Sequence, residues 1–141
     1  MKSIEEIELE IVEEFSMYDE WIEKYEYIIE LGKELPLIQD SEKTENRLIK
    51  GCQSRVWLYS EFKDGKIHFK ADSDAIITKG IIALLIRVLS NQTPADVAKA
   101  TLSFIQEIGI QEHLSPTRSN GLVSMIQHMK MDCIKISSQK K

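Results

Sequence analysis

The chain has 141 residues, of which 43% are apolar and 29% are charged. This length and composition are typical of one compact globular domain, which we expect to span residues 1–141. The formal net charge of -5 argues against general nucleic-acid binding and against adhesion to an anionic membrane, because both need a positive field.

The sequence predicts a cytoplasmic location. Glu5 and Glu6 stand where a signal peptide would carry positive charge, and no apolar segment follows them. The longest apolar stretch, residues 76–89, is interrupted by two basic residues and is too short to cross a bilayer. In a reducing compartment we expect the two cysteines, Cys52 and Cys133, to be free thiols. No Cys and His spacing indicates a metal site.

Two amphipathic helices are predicted at the start of the chain. Apolar residues recur at helical spacing from Ile4 to Phe15, which predicts the first helix. Asp19 has the character of an N-cap for a second helix that begins near Trp21 and ends near Gly32. Residues 34–45 are polar and without periodicity, and we expect them to form a loop.

Three strands follow, at residues 46–50, 55–63 and 66–71. Asp64 and Gly65 separate the last two as a two-residue hairpin turn, because glycine tolerates the positive φ that such turns need. This turn predicts a register in which Lys63 lies opposite Lys66. The interpretation is a three-stranded antiparallel sheet.

The second half of the chain is predicted to be helical. Residues 74–89 are apolar on nearly every side, which predicts a central helix capped by Asp72 or Ser73. Thr93 before a proline indicates another, short helix, and residues 104–114 indicate a short helix with a loop. The last helix, set up at residues 115–116, carries an apolar stripe that ends at Cys133. Helices that flank an antiparallel sheet give an α+β fold of two layers.

Cys52 is the main candidate for chemistry. It lies in the run Gly51, Cys52, Gln53, Ser54 and Arg55, a polar turn between two predicted strands. A thiolate is the nucleophile in sulfur exchange, so a working thiol needs a nearby cation or backbone N–H groups to ionise. Arg55 is the cation nearest in sequence. Cys133 continues the apolar stripe and is predicted to be buried and inert.

Four runs in the chain resemble motifs of the SufE family, in the family's order. Residues 51–57, GCQSRVW, resemble its active-site signature. Residues 21–32 resemble its second helix, residues 72–80 the start of its central helix, and residues 113–126 its C-terminal segment. The resemblance therefore covers most of the chain.

The resemblance implies a SufE/IscU-like fold and a sulfur-transfer role. Cys52 would accept persulfide sulfur from a PLP-dependent cysteine desulfurase of the SufS type and stimulate that enzyme. It would then pass the sulfur to Suf scaffold proteins for iron–sulfur cluster assembly. The PLP belongs to the desulfurase, so the resemblance implies no cofactor in this chain. Whether the chain forms a homodimer stays open.

Further residues match the family motifs near the acceptor loop. Asp72, Ser73, Asp74 and Lys79 belong to the matching run at residues 72–80, and the first two are equally well interpreted as helix caps. Arg118 is a second candidate, after Arg55, for stabilising the Cys52 thiolate or docking the partner.

Three other interpretations remain at this point. A CsdE-type acceptor would use the same chemistry but feed another pathway, such as RNA modification. An IscU-like iron–sulfur scaffold would need several thiolates at one site, and Cys52 has no cysteine neighbour in the sequence. A pure interaction module would carry its thiol incidentally.

Overall fold

The computed structural model describes residues 2–52 and 54–139, with side chains as far as residue 136. Gln53 lies outside the described residues. Two helices open the chain, a β-hairpin follows the loop that carries Cys52, and helices complete it. The described elements are α1 (Ile4–Ser16), α2 (Trp21–Gly32), β1 (Val56–Lys63), β2 (Lys66–Ser73), α3 (Ile76–Leu89), α4 (Pro94–Lys99), α5 (Phe104–Ile108), α6 (Ile110–His113) and α7 (Pro116–Gln139).

The hairpin has the predicted register. Lys63 lies opposite Lys66 and Leu58 opposite Ala71. The turn residues Asp64 and Gly65 have φ of 55° and 79°, as a two-residue turn between twisted strands requires. The inner face is buried, and helix α3 packs against it through β2.

The prediction of a third strand is wrong, since the described residues form a sheet of two strands. Residues 46–50 instead contain part of a 3₁₀ helix, Glu45–Arg47, and one isolated bridge, Leu48 to Trp57. The reason lies upstream, where Leu37 bridges Ala71 on the other edge of the hairpin. The chain must cross from one edge to the other within residues 37–48, and its tight turns leave no extended run to pair. We call residues 37–48 the strap.

The central position of α3 is confirmed, because almost all of its residues are buried. Its contact with α2 is very close at Gly80. A Cβ at this position would lie 2.1 Å from the carbonyl oxygen of Ile28, which is far inside van der Waals contact. Both glycines at this crossing, Gly80 and Gly32, belong to runs that resemble the family motifs, and their role is helix packing.

Two predicted caps are wrong and one is confirmed. Helix α2 begins after Glu20 rather than Asp19. Helix α3 begins after Ala75, so neither Asp72 nor Ser73 caps it, because β2 runs on through both residues. Thr93 does cap α4, where its side chain accepts a hydrogen bond from the N–H of Asp96.

Helix α7 carries the predicted apolar stripe. Leu122, Met125, Met129 and Cys133 are all at most 2% exposed. This stripe places one face of α7 against the core, while the first turns of the same helix reach the Cys52 loop. In the described part of the chain, no helix is long and apolar enough to cross a membrane.

Candidate functional site around Cys52

The Cys52 loop is fixed at its two ends. On one side, the N–H of Ile49 donates to the carbonyl of Val56 at 2.8 Å. On the other side, the N–H of Arg55 donates to the Asp74 carboxylate at 3.1 Å, and the N–H of Asp74 donates to the Arg55 carbonyl at 3.3 Å. Among the described residues between these points, 50–52 and 54, no backbone–backbone hydrogen bond is formed. The loop is therefore anchored to the hairpin at both ends, and residues 50–52 and 54 add no backbone–backbone bond to these anchors.

The middle of the loop rests on helix α7. Gly51 has φ of 93°, a conformation that glycine adopts without strain. A Cβ at Gly51 would lie 2.4 Å from Ser124 Oγ, so the position also needs glycine for close approach. The thiol of Cys52 contacts the carbonyl of Gly121 at 3.6 Å, with the S–H as donor.

Cys52 is half-buried, and it lines a pocket of about 10 Å³. This volume has room for about one water-sized atom. The lining residues come from the loop, from α3 and from the first turns of α7: Cys52, Ser54, Thr78, Ile81, Thr117, Arg118, Gly121 and Met125. The thiol is thus sheltered, with space for little more than one further atom beside it.

Burial raises the pKa of the Cys52 thiol. Transfer out of water disfavours the charged thiolate, and no other group offsets this effect in the described residues. That Arg55 or Arg118 helps the Cys52 thiol to ionise stays a prediction. Arg55 contacts Asp74 through its backbone and does not line the pocket, while Arg118 lines the pocket without lowering the pKa.

Asp72 makes its contacts outside the Cys52 pocket. Its carboxylate accepts from Lys43 of the strap at 2.7 Å and from Lys79 of α3 at 3.1 Å. Burial alone would raise the pKa of Asp72, but the hydrogen bonds from Lys43, the Ser73 N–H and Lys79 outweigh it and hold the pKa below its ordinary value. Asp72 therefore ties the strap to the hairpin and to α3.

The structure gathers some of the predicted site residues and separates others. Ser54 and Arg118 share the Cys52 pocket, Gly51 fits the loop to α7, and Asp74 with Arg55 fixes the loop's end. Ser73 instead accepts a hydrogen bond from the Ala75 N–H at 3.3 Å, and the prediction for Gln53 falls outside the described residues.

Apart from Arg118, sequence reasoning did not single out the α3 and α7 residues of the pocket. Thr78, Gly121 and Met125 stand in the runs that resemble the family motifs, and that position was the only signal for them. A further missed contact is the stack of Trp21 on His113, with ring centroids 4.3 Å apart at 11°. His113 ends α6 just before α7 begins, so the stack fixes the approach to the helix that covers Cys52.

Comparison with known proteins finds similarity to one family. The profile of the SufE family, described as an Fe-S metabolism associated domain, matches residues 9–133. An uncharacterized SufE-like protein of Rhizobium meliloti is 35% identical over 128 residues, covering 87% of this chain and 91% of that protein. An uncharacterized SufE-like protein of Synechocystis is 34% identical over 124 residues, covering 88% of this chain and 78% of its own length.

A solved structure has a similar fold. The solution structure of a hypothetical protein from Thermus thermophilus aligns with a TM-score of 0.77 and covers 94% of this chain and 96% of its own. The sequence identity is 18%, so the likeness concerns the fold alone.

Proposed function

Because the chain belongs to the SufE family, we propose that it is a sulfur acceptor whose Cys52 takes sulfur from the persulfide of a cysteine desulfurase. The observation that carries the proposal is the setting of this thiol. Cys52 sits in a loop whose two ends are hydrogen-bonded, and it faces a pocket with room for about one atom. This setting fits a side chain that must both reach a partner and shelter a labile atom.

The transfer is a nucleophilic exchange between sulfurs. Cys52 loses its proton, and its Sγ attacks the outer sulfur of the partner's persulfide. A new S–S bond forms at Cys52 while the partner's S–S bond breaks. The electron pair of the broken bond stays on the partner's cysteine sulfur, which takes up a proton. No oxidant or reductant is consumed.

The raised pKa of Cys52 gives the loop a role in timing. With the loop closed, burial keeps the thiol protonated and unreactive toward stray electrophiles. On docking, the loop moves away from Gly121, and the thiol leaves the environment that suppresses its ionisation. After transfer, the loop returns, and the pocket beside Cys52 receives the added sulfur.

The remaining steps follow from family membership. The partner would be a PLP-dependent desulfurase of the SufS type, which the chain would stimulate by removing its persulfide sulfur. The sulfur would then pass to Suf scaffold proteins for iron–sulfur cluster assembly. The chain itself needs no cofactor for this exchange, because the PLP chemistry takes place in the desulfurase.

The geometry disfavours the cluster-scaffold interpretation. Such a scaffold needs several thiolates at one site. Cys133 is fully buried in the α7 stripe and does not line the Cys52 pocket. Within the described residues, no group of three or more His, Cys, Asp or Glu side chains is arranged to hold a metal.

Mass spectrometry tests the proposal directly. The chain is incubated with a purified SufS-type desulfurase and cysteine. It is then digested, and its peptides are mapped by mass spectrometry without reductant. We expect Cys52 to gain one sulfur atom, and desulfurase turnover to rise when the chain is added. Cys52→Ser should abolish both effects, whereas Cys133→Ala should retain them. Unmodified Cys52, or equal stimulation by Cys52→Ser, would contradict the proposal.

A further inference from the structure

Three cations at the outer face of the β-hairpin rest on aromatic rings. Lys43 of the strap lies 5.3 Å from the ring centroid of Trp57. Arg47, also of the strap, lies 4.6 Å from the centroid of Tyr59, and Lys70 of β2 lies 5.6 Å from the same centroid. We call these five residues the basic face.

Two charges of this face are not neutralised. Lys43 pairs with Asp72 and Asp40. Arg47 donates only to a backbone carbonyl, that of Glu42 at 2.8 Å, and no carboxylate of the described residues forms an ion pair with Arg47 or Lys70. The two like charges share one ring, although they repel each other.

The basic face is continuous with the Cys52 loop. The strap ends at Leu48, which bridges Trp57, and Lys50 and Arg55 then flank Cys52 on the exposed surface. Arg118 lines the Cys52 pocket. None of these three cations has an ion-pair partner in the described part of the chain.

This local charge runs against the charge of the whole chain, which is -5. Six glutamates lie on α1 alone, at positions 5, 6, 8, 10, 13 and 14. A protein with this uneven distribution orients itself in the field of a partner, and complementary charge raises the rate of productive encounter.

We propose that the basic face docks an acidic surface patch of the protein that delivers sulfur to Cys52; this inference rests on the proposed function. Arg47 and Lys70 would pair with carboxylates of that patch, while Tyr59 and Trp57 hold the cations in place. The face would thereby set the orientation in which the partner's persulfide meets the loop.

A folded acidic partner fits the face better than a nucleic acid does. The phosphate backbone carries charge at every nucleotide, so it needs an extended positive surface. Here Asp40, Asp72 and Asp74 are interspersed among the cations, and the chain as a whole is negative. A few carboxylates on a protein surface can avoid these aspartates, whereas a polyanion cannot.

Affinity measurements with charge-reversed variants test the proposal. The probe is a SufS-type desulfurase from the same genome, titrated by isothermal calorimetry at low and at high salt. Arg47→Glu with Lys70→Glu should raise Kd about tenfold or more at low salt, and the difference should shrink at high salt because ions screen exposed charges. Arg47→Gln with Lys70→Gln should have an intermediate effect.

A matched control separates position from total charge. Lys63→Glu with Lys99→Glu changes the net charge equally at two exposed sites, at the hairpin turn and at the end of α4, and should leave Kd within about twofold. Circular dichroism checks that each variant is folded. An unchanged Kd in the first variant, or an equal loss in the control, would overturn the proposal.

Two further measurements keep this proposal distinct from the sulfur-acceptor role. At saturating desulfurase, Cys52 of the Arg47→Glu, Lys70→Glu variant should still gain sulfur, because the reacting loop is intact. If the wild-type chain gained none while the Kd values still differed, the acceptor role would fail and the docking surface would stand. Suppose that the wild-type chain bound a single-stranded RNA oligonucleotide tightly, and that the same variant lost this binding while its Kd for the desulfurase was unchanged. That result would overturn the assignment of an acidic protein partner.

Discussion

The two cysteines of this chain are both associated with helix α7, but their settings differ. Cys133 is part of the helix and fully buried, whereas Cys52 belongs to a loop and only touches the helix at Gly121. Burial raises the pKa of both thiols, and for Cys133 it does so to about 12, with the charge of Asp132 adding to the effect. A raised pKa therefore does not by itself tell a reactive thiol from an inert one.

The difference lies in what must break before each sulfur meets a reagent. To expose Cys133, α7 must lose its packing along the stripe of Leu122, Met125 and Met129, which amounts to unfolding much of the core. To expose Cys52, the loop must give up the contact with Gly121 and some packing, and no backbone bond between the described residues of its middle breaks. We therefore expect the reactivity of each thiol to follow from the free-energy cost of exposing it.

The largest expected effect is on alkylation of the native chain. Cys52 should react with iodoacetamide about 100-fold faster than Cys133, because local opening is far less costly than global unfolding. Peptide mapping by mass spectrometry over time gives the two rates. In denaturant the rates should converge, which serves as the control. Similar rates in the native chain would contradict the comparison.

The pH dependence of the Cys52 rate sharpens the comparison further. Because burial raises the pKa above the ordinary value of 9.0, the alkylation rate should still be rising with pH at 9.0, where the rate of an ordinary thiol is already levelling off. The closed loop favours the protonated thiol. The contribution of this thiol to the stability of the closed loop is therefore full below the ordinary pKa and is lost as pH rises through the raised pKa. A small cysteine peptide, measured in parallel, should level off earlier. If the alkylation rate of the protein levelled off at a lower pH than that of the peptide, a cation such as Arg118 would govern the ionisation of the thiol instead.

The hairpin and the position of Cys52 could be predicted from the sequence because their determinants are local. Asp64 and Gly65 define the turn, and alternation of apolar residues defines the register from it. Gly51 marks a turn before Cys52, and the family resemblance then adds the role. The absence of a third strand could not be predicted, because it depends on Leu37 pairing with Ala71 on the far edge.

The pocket could not be predicted for a similar reason. Its walls come from α3 and α7, whose residues Thr78, Ile81 and Met125 are distant in sequence and have the pattern of ordinary helix positions. The hydrogen bond from the Arg55 N–H to the Asp74 carboxylate could not be predicted either, because only the fold brings these two residues together. Local sequence patterns predict the position of the thiol, whereas tertiary packing determines the residues around it.

The smallest expected effect comes from a pair of glycines, and it isolates the contact that holds the loop closed. Gly51 and Gly65 both have positive φ, of 93° and 79°, so alanine strains each by about 1 kcal/mol. Only at Gly51 does the new Cβ meet an obstacle, Ser124 Oγ at 2.4 Å, while nothing lies within 4 Å at Gly65.

Gly51→Ala should therefore push the loop off α7, which lowers the pKa of Cys52 toward its ordinary value and speeds alkylation about threefold. Gly65→Ala should lose similar stability in a denaturant titration and leave the alkylation rate unchanged, and Ser124→Ala should partly restore the slower rate in the Gly51→Ala chain. If the two glycine variants alkylated at the same rate, the contact with α7 would not be what shelters Cys52.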